Sequence, residues 1–189
     1  WIYDLPPVEK LFTTHRYPDS FDDAQWNEAV DVIGKDDLDR LPDLYRFLAK
    51  KEPVVSLAAR RLRQTMLREN DDDKLLDACI GMEALLGNER DELTHRLSQR
   101  AAVALSTGRT QVKPTILYPI LKKLYANRSA IVHGTPKPAT FIKVDDQQVS
   151  ASEVAVTILR LLILNKSESN PTCTTSSLDT DMLAALEKS

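Results

Sequence analysis

Apolar residues recur every three or four positions along most of this chain, which is the spacing of one face of an α-helix. The clearest stripe follows the acidic run Asp71–Asp73 and consists of Leu75, Leu76, Cys79, Met82 and Leu86. Gly87 comes directly after it, where helices commonly end. A second stripe runs from Asp91 to about Ser106. The pattern predicts an all-α fold.

The longest predicted helix runs from Thr115 to His133, with Gly134 as its expected terminator. Pro119 lies near its start, where a missing backbone N–H is best tolerated. We therefore expect this helix to begin a few residues after Thr115.

Shorter elements are predicted on both sides of these helices. Pro42 and Pro53 fit the first turns of two helices. Residues 140–144 are either a short strand or an extended loop. Ser150 and Glu153, three residues apart, form a capping-box motif that marks the start of a helix. This helix is apolar on nearly all sides, so we expect it to lie in the core and to run through residue 164.

The same pattern predicts three parts along the chain. Residues 1–50 are a lead-in with helices, expected to be the end of a larger upstream region, because the chain begins at Trp1 with no signal-like segment. Residues 51–166 form the helical domain. Residues 167–189 are a polar linker and a short amphipathic helix.

Composition excludes several classes of protein. The 189 residues include 42% hydrophobic residues but only five glycines, too few for a propeller or a many-stranded barrel. No apolar run approaches the ~20 residues of a membrane span. Cys79 and Cys173 lie far apart, and no P-loop, dinucleotide or zinc motif occurs. We expect a cytoplasmic protein with no metal and no cofactor.

Charge is distributed unevenly along the chain. The net charge is −3, yet the stretch from Leu93 to Val144 contains no aspartate or glutamate and has nine lysines and arginines. Such a stretch is either a polyanion-binding surface or a solvated helix face that neighbouring acidic helices neutralise.

Arg128 lies within the apolar stripe of the long helix, within about 40° of both Leu121 and Leu124. Burying a guanidinium without a partner is costly. Two explanations are open at this point: Arg128 pairs with a carboxylate such as Glu83 or Glu92, or it faces a cleft or a subunit seam where an anion binds.

His133 occupies the last turn of the same helix, about 140° around the axis from Arg128. The helix dipole favours its charged form, and nearby lysines and arginines oppose it. The ring could therefore exchange protons near neutral pH, or it could simply cap free carbonyl groups.

Together these residues spell Arg128-Ser-Ala-Ile-Val-His133, which resembles the R-x4–6-H motif of the HEPN superfamily of helical ribonucleases. Two further blocks agree: Leu75-Leu-Asp-Ala-Cys-Ile-Gly-Met-Glu-Ala-Leu-Leu86 and Glu92-Leu-Thr-His-Arg-Leu-Ser-Gln-Arg-Ala-Ala102. The succession is similar to the Apea-like HEPN branch found in bacterial defence proteins. The resemblance covers residues 57 to 164.

The resemblance implies a HEPN-like helical bundle that forms a two-fold homodimer and cleaves RNA without metal. In that family the ribose 2′-OH attacks the adjacent phosphate and leaves 2′,3′-cyclic phosphate and 5′-OH ends. His133 would then be the general acid or base and Arg128 would stabilise the phosphorane, with Ser129 and Asn127 as supporting candidates. Candidate RNA-binding residues are Arg96, Arg100, Arg109, Lys113, Lys122 and Lys123.

Such a domain is expected to be the effector of an anti-phage or toxin-type protein, acting on RNA such as tRNA under an upstream sensor region. Glu83 and Arg100 are expected to form a buried pair that gives structural support. The alternative function is a non-catalytic module for helical dimerisation or RNA binding. His95 either contacts RNA or belongs to an exposed polar face.

Overall fold

A computed structural model describes residues 34–87, 93–107, 112–136, 140–144 and 147–168. These residues form six helices and one hairpin: α1 (Lys35–Ala49), α2 (Pro53–Leu67), α3 (Asp71–Leu86), α4 (Leu93–Thr107), α5 (Pro114–His133), β1 (Phe141–Val144), β2 (Gln147–Ser150) and α6 (Ala151–Glu168). The all-α prediction is confirmed, with a small two-stranded sheet added to it.

Residues that favour helix ends set several of these boundaries. Pro53 is the first residue of α2, as the sequence predicts. The Asn70 side chain caps α3 by accepting a hydrogen bond from the backbone N–H of Asp72 at 2.7 Å. Gly134 ends α5 with φ at +64°, a conformation that side-chain-bearing residues rarely adopt. The predicted start of α2 near Pro53 and the predicted end of α5 at Gly134 are therefore confirmed.

Two prolines lie inside helices, which corrects two predictions. Pro42 is the eighth residue of α1, and Pro119 is the sixth residue of α5. Neither helix therefore begins at or after its proline. Both prolines are exposed, as are Leu38 and Thr115 four residues before them. Water can satisfy the carbonyl groups that each proline leaves without a donor, so the helices continue through them.

The segment after α5 forms an antiparallel hairpin. Phe141 pairs with Ser150 and Val144 pairs with Gln147. The strand interpretation of residues 140–144 is thereby confirmed, but the sequence pattern did not predict β2. The Ser150 hydroxyl accepts a hydrogen bond from the backbone N–H of Glu153 at 3.1 Å, so the predicted cap of α6 is present. The helix continues to Glu168, four residues beyond its predicted end.

Helix α6 lies at the centre of the described core. It packs against α1, α2, α3, α4 and the hairpin, while α5 packs against α3 and α4. Helix α3 approaches α6 closely at Gly81, where a Cβ atom would lie 2.7 Å from Leu159 Cδ2. Glycine therefore allows α3 and α6 to touch.

A buried carboxylate ties α3 to α2. Asp77 is 3% exposed, and its two oxygens contact Arg61 Nη1 at 2.7 Å and Arg68 Nε at 3.0 Å. One aspartate thus engages two arginines at the C-terminal half of α2 and directly after it. They contribute to the packing of the helices.

Some expectations fall on residues outside those described. They include Glu92, Arg109 and the predicted C-terminal helix after residue 177. Within the described segments, no helix is both long enough and apolar enough to cross a membrane.

Candidate nucleic-acid site at the end of a long helix

Helix α5 carries both residues of the R-x4-H motif in one uninterrupted helix. Five residues separate Arg128 from His133, so their Cα atoms differ by about 140° around the axis and about 7.5 Å along it. The helix therefore directs the two side chains to different sides of its C-terminal end.

Arg128 forms an ion pair with Glu83 of α3. Its Nε lies 2.8 Å from Oε1, and its Nη2 donates a hydrogen bond to Oε2 at 3.2 Å. The side chains are 34% and 20% exposed, so the pair lies at the edge of the core. Of the two explanations for an arginine in the apolar stripe, an internal carboxylate partner is the one observed.

The ion pair has buried side chains as neighbours, among them Cys79 and Tyr125. Burial raises the pKa of the Glu83 carboxyl, and the positive charge of Arg128 opposes that rise. Burial also raises the pKa of the nearby Cys79 thiol to about 12. The Tyr125 hydroxyl is buried and has no hydrogen-bond partner among the described residues, and burial raises its pKa well above the usual value. Removing either charge of the pair would therefore leave the other in a poorly solvated place.

His133 is exposed at the last residue of α5. The amides of Gly134 and Thr135 donate to the carbonyl groups of Ile131 and Ala130 at 3.3 and 2.9 Å. These carbonyls already have donors, so they do not require the imidazole as a cap. Within the described part of the chain its ring makes no hydrogen bond and faces solvent.

The two supporting candidates lie on different sides of α5. Ser129 is exposed, one turn before His133 on the same face. Asn127 is 1% exposed and lines a cavity of about 20 Å³ with Asp71 and Ser152, among others. Only Ser129 shares the solvent-facing side of His133.

Most of the candidate RNA-binding residues that the structure describes are exposed, namely Arg96, Lys113, Lys122 and Lys123. Arg100 is the exception, because it is only 7% exposed and donates to the carbonyl of Leu86 at 2.9 Å. It does not belong to the exposed basic surface. The expected pair between Glu83 and Arg100 is wrong, since Glu83 pairs with Arg128 instead.

The sequence pattern also missed two features of these helices. One is the buried Asp77, whose only signal was an acidic residue between the apolar positions Leu76 and Ala78. The other is a ring contact between His95 of α4 and Tyr118 of α5, with centroids 5.7 Å apart and planes at 71°. No spacing rule links residues of two separate helices, so sequence alone could not pair them.

Two further findings concern possible metal ligands and similarity to known proteins. Among the described residues, no group of three or more His, Cys, Asp or Glu side chains could hold a metal ion. Comparisons with protein-family models, with curated proteins and with solved structures each found no match. The described fold is that of a helical protein in which the helix that ends at an exposed histidine also carries exposed lysines.

Proposed function

We propose that this protein is a metal-independent endoribonuclease whose active site forms around His133 and Arg128. The observation that carries the proposal is the exposed imidazole at the end of α5, next to carbonyl groups that already have backbone donors. A neutral imidazole can take a proton from a ribose hydroxyl. The exposed lysines of α5 supply positive charge for the phosphates.

In the proposed reaction, His133 removes the proton of the ribose 2′-OH. The 2′-oxygen attacks the adjacent phosphorus, and the bond from phosphorus to the 5′-oxygen breaks. A second protonated imidazole gives its proton to the departing 5′-oxygen. The products are a 2′,3′-cyclic phosphate and a 5′-OH end, and no water or metal ion is consumed.

In this proposal, Arg128 stabilises the phosphorane. Glu83 engages Nε and Nη2, no contact of Nη1 occurs among the described residues, and a third of the side chain is exposed, so Nη1 can bind a phosphate oxygen. A guanidinium held in place in this way costs little reorganisation when charge develops on the phosphate.

A two-fold homodimer completes the proposed site. One straight helix directs Arg128 and His133 to sides about 140° apart, whereas two facing helices would bring two copies of each around one cleft. The second imidazole in the reaction is then His133 of the other subunit. In this proposal the chain is the effector part of a bacterial cytoplasmic defence protein, with RNA such as tRNA as substrate and control by an upstream sensor region.

Cleavage of tRNA and total RNA in EDTA tests the proposal. We expect His133→Ala and His133→Asn to lower the cleavage rate by about 10²–10⁴, because each removes the proton-transfer group. The matched control is Arg160→Ala, an exposed substitution on α6 that should cleave as the wild type does. Equal cleavage by the wild type and His133→Ala would refute the proposal.

The ion pair favours a second candidate, a non-catalytic module for dimerisation or RNA binding. An arginine held by an internal carboxylate already has a structural role. Light scattering on Arg128→Ala separates the candidates. If Arg128→Ala is a folded monomer and the wild type does not cleave RNA, the module is supported. If Arg128→Ala remains a dimer but has lost the cleavage activity of the wild type, the nuclease is supported.

A further inference from the structure

The contact between His95 and Tyr118 places two aromatic rings at a solvent-facing junction of α4 and α5. His95 is exposed, Tyr118 is half-buried, and the rings meet edge to face at 5.7 Å. Because His95 is exposed, a planar group from solvent can reach this aromatic pair and stack on it. Helices α4 and α5 contain no aspartate or glutamate.

An exposed stripe of α5 connects this junction to His133. Helical spacing aligns Tyr118, Lys122, Ala126, Ser129 and His133 within about 80° of one another. All but the half-buried Tyr118 are exposed. The stripe is about 22 Å long, a length that several unstacked nucleotides cover.

We propose that Tyr118 and His95 hold an unpaired base of a single-stranded RNA, whose backbone then follows α5 past Lys122 to His133. The inference rests on the proposed function, because it supplies the substrate path to that site. Aromatic rings stack on any base face but cannot reach bases that are paired and stacked within a duplex. The substrate class is therefore single-stranded RNA or an unpaired loop.

Binding of a fluorescent single-stranded 2′-O-methyl RNA to the whole chain tests this inference. That probe has no free 2′-OH, so binding is measured without cleavage. We expect Tyr118→Leu to weaken affinity by about tenfold, because leucine keeps the apolar packing and removes the ring face. Tyr118→Phe should bind as the wild type does. Tyr45→Leu, which alters a highly exposed tyrosine of α1, is the matched control.

Charge contributes separately, and salt dependence measures it. Lys122→Ala should weaken binding and lower the slope of log affinity against log salt by about one. Unlabelled single-stranded RNA should displace the probe far better than a duplex of the same sequence does. If Tyr118→Leu does not fold, His95→Ala takes its place with an expected loss of about threefold.

Three results would overturn the inference: wild-type affinity in Tyr118→Leu (or in its substitute), loss of affinity in Tyr118→Phe, or equal displacement by a duplex. These outcomes are distinct from failure of the proposed function. If binding depends on the Tyr118 ring but natural RNA is not cleaved, the binding path is supported and the proposed nuclease activity is refuted.

Discussion

The ion pair between Arg128 and Glu83 is a stabilising contact that can be measured apart from any catalysis. Exposed ion pairs contribute about 0–1 kcal/mol, and breaking a buried pair costs about 3–5 kcal/mol. With Arg128 about one-third exposed and Glu83 one-fifth exposed, the pair falls between these limits. We therefore expect Arg128→Ala to lower the free energy of unfolding by about 2 kcal/mol at pH 7.5.

Much of that loss arises from the carboxylate that the substitution leaves behind. The Glu83 pKa is already raised by burial, and removing Arg128 raises it further. The folded variant then binds a proton more readily than the unfolded chain, so its stability falls as pH rises above the ordinary value of 4.5. The deficit relative to the wild type should accordingly be smaller at pH 5 than at pH 7.5.

Urea unfolding at the two pH values is the assay, with Lys123→Ala as an exposed control on α5 that should change stability by less than about 0.5 kcal/mol. In a Glu83→Gln background, Arg128→Ala should cost much less, because no charge is left unpaired. The same loss in both backgrounds, or no loss from Arg128→Ala alone, would show that the two residues do not act as an energetic unit.

Two other substitutions test the packing of α3. Asp77→Asn removes a buried charge that two arginines share, so we expect the free energy of unfolding, measured with urea, to fall by about 3 kcal/mol. The control is Asp43→Asn, which alters an exposed ion pair and should lower it by less than about 0.5 kcal/mol. Equal losses would contradict the buried-pair account. Gly81→Val should cost about 3 kcal/mol because its side chain overlaps α6, while Gly81→Ala should cost about 1 kcal/mol or less, since its helix propensity offsets a shift of one leucine. A valine variant as stable as the alanine variant would refute the close approach.

Local signals predicted the helices well, because caps and apolar spacing act within one or two turns. Asp71–Asp73 and Gly134 mark helix ends in the sequence and in the structure. Pro42 misled the prediction because the cost of an interior proline depends on whether water reaches the carbonyl four residues earlier. That exposure is a property of the folded surface.

The site was predictable only in part, since its contacts join separate helices. Arg128 is unusual in an apolar stripe, so its need for a partner followed from sequence, and Glu83 was one of two named candidates. The expected pair between Glu83 and Arg100 was wrong, because Arg100 donates to the Leu86 carbonyl and Glu83 pairs with Arg128, and helical spacing within one element specifies neither contact. The contact between His95 and Tyr118 had no local signal at all.

The most direct test of the central claim is mass spectrometry of the RNA ends produced in EDTA by the wild type and by His133→Ala. The account predicts that the wild type produces 2′,3′-cyclic phosphate and 5′-OH ends, and that a 2′-deoxy sugar at the scissile position blocks this cleavage. The His133→Ala variant should cleave at a rate at least about 100-fold lower. Ends bearing 3′-OH and 5′-phosphate, or identical products formed at the same rate by His133→Ala, would contradict it.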